Sequence, residues 1–228
     1  MIYVGIVMKN KSGFTLVELS IVIVIIGLIV AGVVGGQALV RQAKLRATIS
    51  DIDKYRLAHN AFILEYDAIP GDFDNAHSFW GNACDASAAN CNGDGNGHIQ
   101  DTECAGLPAT NEIFRYWQHL QLAGIINTSL TGQGVGAATR GARPGINVPE
   151  LPIQYSVGKG GVGPRFDVVD NGNKTINTNV YFIGAEDSTR CVPVSAFFTT
   201  KDALQIDTKI DEGTAHVGDV TASNHGGT

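Results

Sequence analysis

Three groups of residues in this 228-residue chain have types and spacings that could do chemistry. The first is Gly13-Phe14-Thr15-Leu16-Val17-Glu18, which runs straight into a long apolar stretch. A cut between Gly13 and Phe14 would free an α-amino group, and Glu18 is the lone carboxylate within reach of it. An ionisable group at the mouth of an apolar span is costly and calls for a partner; the Phe14 amine is the obvious one. The second group is Asn92-Gly93-Asp94-Gly95-Asn96-Gly97-His98-Ile99, with Glu103 beyond. It follows the calcium-loop pattern D-x-[DN]-x-[DN]-G-x5-E except that Asn92 stands at the first position. Asp94 offers a carboxylate, Asn92 and Asn96 offer amide carbonyls, and Gly97 permits the sharp turn. His98 offers its backbone carbonyl and Glu103 a bidentate closure, an oxygen set suited to Ca2+. Asn92 in place of Asp removes one negative charge and weakens such a site. Asp72 and Asp74 after the Pro70 turn, or Glu112, are variant ligands in place of Glu103. The third group is Cys84, Cys91, Cys104 and Cys191. Four cysteines allow three connectivities; pairing Cys84 with Cys91 closes a short loop, and Cys104 with Cys191 would tie that loop to the sheet. A zinc site is the competing use, but no Cys-x-x-Cys is present and no histidines cluster nearby.

The elements that must hold these residues follow from periodicity. Leu19 through Gly36 carries no charge, and a bilayer core needs about 20 mostly apolar residues as helix. Residues 14 to about 67 read as one helix of roughly 80 Å at about 1.5 Å per residue. Its first half suits a membrane or an apolar core. In its second half Leu45, Ile49, Ile52, Leu57, Ala61 and Leu64 form a predicted apolar stripe, and Pro70-Gly71 is the expected stop. Residues 68–108 are rich in Gly, Asn, Asp and Ala and read as an irregular loop region. A helix over 111–123 would bury Ile113, Tyr116, Trp117, Leu120 and Leu122. Residues 129–146 are glycine-rich and read as a flexible loop. Strands are expected at Ile153–Val157, Phe166–Val169, Asn179–Gly184 and Val192–Thr199 as an antiparallel meander. A short helix is expected around Lys201–Ile210 and a last strand through His216–Thr221. The fold class is therefore α+β: a long N-terminal helix, membrane-spanning in its first half, on a small antiparallel sheet with a loop region braced by disulfides and calcium.

The ordered combination of basic Lys9 and Lys11, Gly13, Phe14, Glu18 and the apolar helix resembles the type IV pilin family, including the pseudopilins of type II secretion. The resemblance implies a leader over residues 1–13, with Met8 a candidate true start, removed by prepilin peptidase before N-methylation of Phe14. It implies an assembly half over 14–40 and a head over 41–228. It further implies that Glu18 of one subunit faces the Phe14 amine of a neighbour in a helical filament. Many pilins carry proline where this chain has Gly35-Gly36, a pair that weakens a helix or permits close helix packing. The glycine pair, the large head and the extended loop favour a minor subunit. Segments that resemble the acidic Pro70-Gly71-Asp72 turn, the Gly/Asn/Asp loop and the Trp117-Gln118-His119-Leu120 helix occur together in some pilin-like proteins.

Charge and motifs narrow the function further. Removing Lys9 and Lys11 from the 16 basic residues leaves 14 against 22 acidic ones, a net −8. An acidic head argues against nucleic-acid binding by phosphate neutralisation, although Arg41, Lys44 and Arg46 could meet lipid headgroups. Lys9 and Lys11 hold the leader in the cytoplasm and place the head outside the inner membrane, where disulfides persist. No Gly-x-Ser-x-Gly, phosphate loop or His-Glu-x-x-His is present, and an enzyme is not expected. The acidic segment 207–213 suits a solvated helix end better than a second metal site. The expected function is a structural subunit of a type IV pilus or type II secretion pseudopilus; the alternative is an exported calcium-dependent adhesin anchored by the same helix.

Overall fold

The computed structural model describes residues 13–100, 112–134, 141–170, 175–186, 190–211, 213, 219 and 220. They fall into two units, residues 1–43 and 44–228. Helix α1, Leu16–Tyr66, begins in the first and ends in the second. Its N-terminus is a reciprocal cap: the Thr15 amide and hydroxyl donate to Glu18 Oε2 at 2.8 and 2.9 Å, and the Glu18 amide donates to Thr15 Oγ1 at 3.2 Å. This is the Ser/Thr-x-x-Glu capping box, which satisfies two helix-end donors at once. The apolar residues that follow are exposed throughout, and the helix is long and apolar enough to cross a membrane. It runs unbroken through Gly35-Gly36.

In the second unit α1 buries Leu45, Thr48, Ile52, Tyr55, Ala58 and Phe62. This line differs from the predicted stripe. Leu57 and Leu64 are 68% and 88% exposed, and Ala61 is exposed too. The physical reason is aromatic: Tyr55 packs edge-on against Trp117, and Phe62 stacks on Tyr66 and meets Phe73. Rings bury more area than leucines and so set the inward face. The helix stops at Tyr66 because Asp67 takes the left-handed conformation, φ 50°, a helix-ending position. Pro70-Gly71 comes after that stop and forms the next turn.

The region expected to be irregular holds two short helices, α2 (Ala76–Trp80) and α3 (Ala88–Cys91), with a 3-10 turn at Gly81–Ala83. Cys84 and Cys91 are disulfide-bonded, Cα–Cα 5.6 Å. Cys191 is buried and disulfide-bonded; Cys104 lies outside the described residues. Helix α4, Glu112–Leu122, is the centre of the head. Ile113 through Leu120 are all buried, including Arg115 and His119, so the predicted apolar face understates how fully it is enclosed. Within the glycine-rich segment expected to be a flexible loop, Leu130 and Ala142 are buried.

Among the described residues the sheet is three-stranded and antiparallel in the order β1 (Glu150–Tyr155), β2 (Gly158–Asp170) and β3 (Thr175–Ala185). A bulge between Glu150 and Gln154 shifts the β1 register, whereas β2 and β3 pair regularly from Gly160↔Ala185 to Asp170↔Thr175. The predicted strand Val192–Thr199 does not form. That segment makes a single bridge, Ser195 to Ala185, and lies across the glycines of β2 instead. A Cβ at Gly160 would sit 2.3 Å from the Phe197 ring. The same glycines hid the N-terminal half of β2, because they lower strand preference while permitting this close approach. Helix α5, Thr200–Ile210, is capped by Thr199 accepting from the Asp202 amide. The strand expected at His216–Thr221 falls largely outside the described residues.

Candidate functional site

The acidic loop is built on the turn that follows α1. The Gly71 amide donates to His119 Nδ1 at 2.9 Å, which fixes the Pro70-Gly71-Asp72 turn on α4. Asp72, 3% exposed, then reaches into the loop. Its Oδ1 accepts from the Asn96 amide at 3.1 Å, its Oδ2 from the Gly97 amide at 2.7 Å, and its carbonyl from the Gly95 amide at 3.0 Å. From the other side Glu112, in the first turn of α4, accepts from the Asp94 amide at 3.2 Å and the Gln100 amide at 2.7 Å. Gln100 Nε2 and Asn96 Nδ2 each donate to Asp94 Oδ2 at 2.8 Å. The far end is tied to the sheet: Asn179 Oδ1 accepts from the Ile99 amide and Asn179 Nδ2 donates to the Gly97 carbonyl. Ile99 is buried as the anchor of the loop.

These ties gather three carboxylates. One oxygen each of Asp72, Asp94 and Glu112 lie within 4.8 Å of one another. Burial, joined by the charges of Asp72 and Asp94 and opposed by the Gln100 and Asp94 amides, pushes the Glu112 carboxyl up to about 7. Burial raises the Asp72 carboxyl as well, against the hydrogen bonds from Gly97 and its neighbours. Both shifts have the cause expected when carboxylates crowd together out of water. An open cleft of about 420 Å³ beside them is lined by Ala88, Asn92, Gly93, Asp94, Gln100 and Glu112.

The remaining predicted ligands are placed differently. Asn92 Oδ1 accepts from the His77 amide at 2.8 Å and so caps α2 rather than pointing at the carboxylates. Asn96 Oδ1 accepts from the His98 amide at 2.8 Å. The Asp74 side chain lies beside Gly95. His98 is exposed, and Glu103 lies outside the described residues. Asp72 precedes the loop by 20 positions and so lies outside the loop pattern; its signal in the sequence is the Pro70-Gly71-Asp72 turn itself.

At the other candidate site, Glu18 sits in the first turn of α1 with Oε2 held by Thr15. Residues 8–34 match the family model described as the prokaryotic N-terminal methylation motif. The chain carries a prepilin-type cleavage and methylation motif. This prepilin-type motif is shared by type IV pilins and pseudopilins, and it covers Gly13, Phe14 and Glu18. No curated protein and no solved structure matches the chain. The prepilin-type segment and its apolar helix fit an exported, pilin-like subunit anchored in the inner membrane before assembly.

Two buried polar networks lie outside the expectations drawn from the sequence. Arg115 Nη1 and Gln118 Nε2 both donate to the Cys84 carbonyl, at 3.1 and 2.9 Å, and Arg115 Nη2 pairs with Asp85 at 3.2 Å. Tyr181 donates to the Tyr55 carbonyl and bonds Tyr116, which also meets His59 Nδ1 at 3.2 Å. Both are polar groups inside an otherwise apolar helix pattern, and periodicity alone gives no sign of their partners.

Proposed function

We propose that this chain is a non-enzymatic structural subunit of a type IV pilus or type II secretion pseudopilus, of the minor class. Prepilin peptidase cuts it after Gly13, Phe14 becomes the methylated terminus, and the mature chain enters a helical filament through α1. The observation that carries this reading is the prepilin-type motif leading into an exposed apolar helix with one carboxylate, Glu18, in its first turn. In the low dielectric of a filament core that carboxylate attracts the amine of a neighbouring Phe14 strongly, which registers the incoming subunit. Asp72, Asp94 and Glu112 together hold Ca2+ in the head, where it offsets the repulsion among them and fixes the loop on α4 and β3. The open cleft beside these carboxylates favours one second reading, a calcium-dependent adhesin, whose ligand binding would be lost on chelation.

The test is to shear cells and probe the sheared fraction and the membranes for the mature chain. Mature chain in the sheared fraction, with filaments seen by electron microscopy, supports a surface pilus. Processed chain kept in the membrane supports a pseudopilus or a rare subunit. Unprocessed chain there overturns the reading.

A further inference from the structure

The acidic loop contains two Asn-Gly steps, Asn92-Gly93 and Asn96-Gly97. In an unstructured chain this step deamidates spontaneously, because glycine does not hinder attack of its amide nitrogen on the asparagine side chain. Neither glycine here is dispensable. Gly97 has φ +87°, a conformation that other residues adopt with strain. A Cβ at Gly93 would lie 2.4 Å from Asp72 Cα. The loop is therefore committed by its geometry to a chemically labile pair.

The structure holds both reacting groups at Asn96 by hydrogen bonds. The nucleophile is the Gly97 nitrogen, and its N–H is donated to Asp72 Oδ2 at 2.7 Å. The electrophile is the Asn96 side-chain amide, whose Oδ1 is held by the His98 amide and whose Nδ2 is held by Asp94. At Asn92 the Gly93 N–H is donated to the Phe73 carbonyl at 2.9 Å, and Oδ1 is held by the His77 amide. The two differ in setting: Asn92 is half-buried at the end of α3, and Asn96 is exposed.

We propose that Asn96 is a spontaneous deamidation site whose rate is set by the Asp72 clamp on the Gly97 amide. When the clamp opens, the Gly97 nitrogen loses its proton to solvent and attacks Asn96 Cγ. The new N–Cγ bond replaces the Cγ–Nδ2 bond, and Nδ2 leaves as ammonia. Water then opens the five-membered succinimide at either carbonyl, giving aspartate or isoaspartate; the net change is addition of water and loss of ammonia. The product places a further negative charge beside Asp94 and Asp72. In its isoaspartate form it also lengthens the backbone between the Asp72 and Asn179 ties. Asn92, bound through a packed backbone carbonyl, reacts later. A chain that is exported and not replaced thus carries a chemical record of its age at this loop, whether or not it assembles.

The experiment follows deamidation of the full chain in detergent micelles with chelator present, in mildly alkaline buffer. Peptide mapping by mass spectrometry separates aspartate from isoaspartate, and a synthetic peptide spanning residues 94–100 serves as the unheld reference. Asn96 in the folded chain is expected to react at least about ten-fold more slowly than in the peptide, the factor for a charge-assisted hydrogen bond. Asp72→Ala is expected to bring Asn96 within about two-fold of the peptide while Asn92 stays slow. Equal rates in chain and peptide, or an Asn96 rate unmoved by Asp72→Ala, overturn the proposal. If that variant unfolds and both asparagines accelerate, hydrogen exchange of the wild-type Gly97 amide decides: slow exchange upholds the clamp, and exchange at the rate of a free loop overturns it.

Discussion

His119 offers the sharpest test of how the head is held together. Its ring is fully buried, close to Trp80 and parallel to Phe62. Nδ1 accepts the Gly71 N–H, a donor that cannot reverse, so the proton sits on Nε2 and is given to the Cys91 carbonyl at 3.0 Å. One neutral imidazole therefore joins the turn after α1, helix α4 and the disulfide loop. Adding a proton at Nδ1 would set two donors against each other. Burial, with a smaller contribution from the Arg115 charge and opposed by the Cys91 carbonyl, pushes the His119 pKa from 6.5 down to about 3. Because the folded value lies below the unfolded one, the unfolded chain takes up the proton first. The stability tied to neutral His119 is complete above pH of about 6.5 and is lost as pH falls toward 3. At about 1.4 kcal/mol per unit, acidification to pH of about 4.5 removes about 3 kcal/mol. The assay is urea unfolding of the head, residues 44–228, in chelator at neutral pH and at that acidic pH, for wild type and His119→Gln. Glutamine keeps one acceptor and one donor but does not titrate, so its loss on acidification should be smaller than that of wild type by about 3 kcal/mol. Every other titrating group, Glu112 included, is common to both proteins and cancels in the comparison. An equal loss in both would refute the neutral, doubly bonded histidine.

Other outcomes follow from the remaining sites. Glu18→Ala is expected to leave cleavage after Gly13 intact and abolish the sheared filament fraction, read by mass spectrometry and blotting; Gly13→Val should leave the leader in place. Calcium should stabilise the head by an amount set by occupancy, about 2.7 kcal/mol at a hundred-fold excess over Kd, read as a rise in melting temperature, and Asp72→Asn should remove that gain. In chelator, Glu112 with its carboxyl raised to about 7 favours folding most below its unfolded value, and that contribution is lost as pH rises through 7; His119 titrates the other way over the same range, so the readout is the melting-temperature difference between wild type and Glu112→Gln, and a difference flat across this window would contradict the crowding of carboxylates. Replacing Cys84 and Cys91 together by serine should cost about 2–3 kcal/mol by the loop-closure relation, measured by urea unfolding with the fold retained.

Much of the architecture could be read from residues whose role is local. An uncharged run of apolar residues makes α1 almost unavoidable, and Ile113, Trp117 and Leu120 mark α4 by spacing. What could not be read depends on contacts between distant segments. Leu57 and Leu64 look like core residues by type, yet the rings of Tyr55 and Phe62, meeting Trp117 and Phe73, turn the helix so that those leucines face outward. Val192–Thr199 has the composition of a strand, but it pairs with the sheet through one bridge, Ser195 to Ala185, and lays Phe197 on Gly160 and Pro193 on Gly163 of β2. The acidic loop shows the same division. Asp94 announces itself within a short pattern, while Asp72 enters only because His119, 47 residues later, pins the turn that carries it.

The bonds from Arg115 and Gln118 to the Cys84 carbonyl bear on the order of events during export. Neither bond involves sulfur, so α4 can seize the first cysteine while both thiols are still reduced. Cys91 is brought alongside by a separate contact, its carbonyl on His119. The expected order is that oxidation secures a pair already placed, which predicts that the reduced head keeps its two thiols in register. On that expectation the bridge is a bolt drawn across a door that closes by itself.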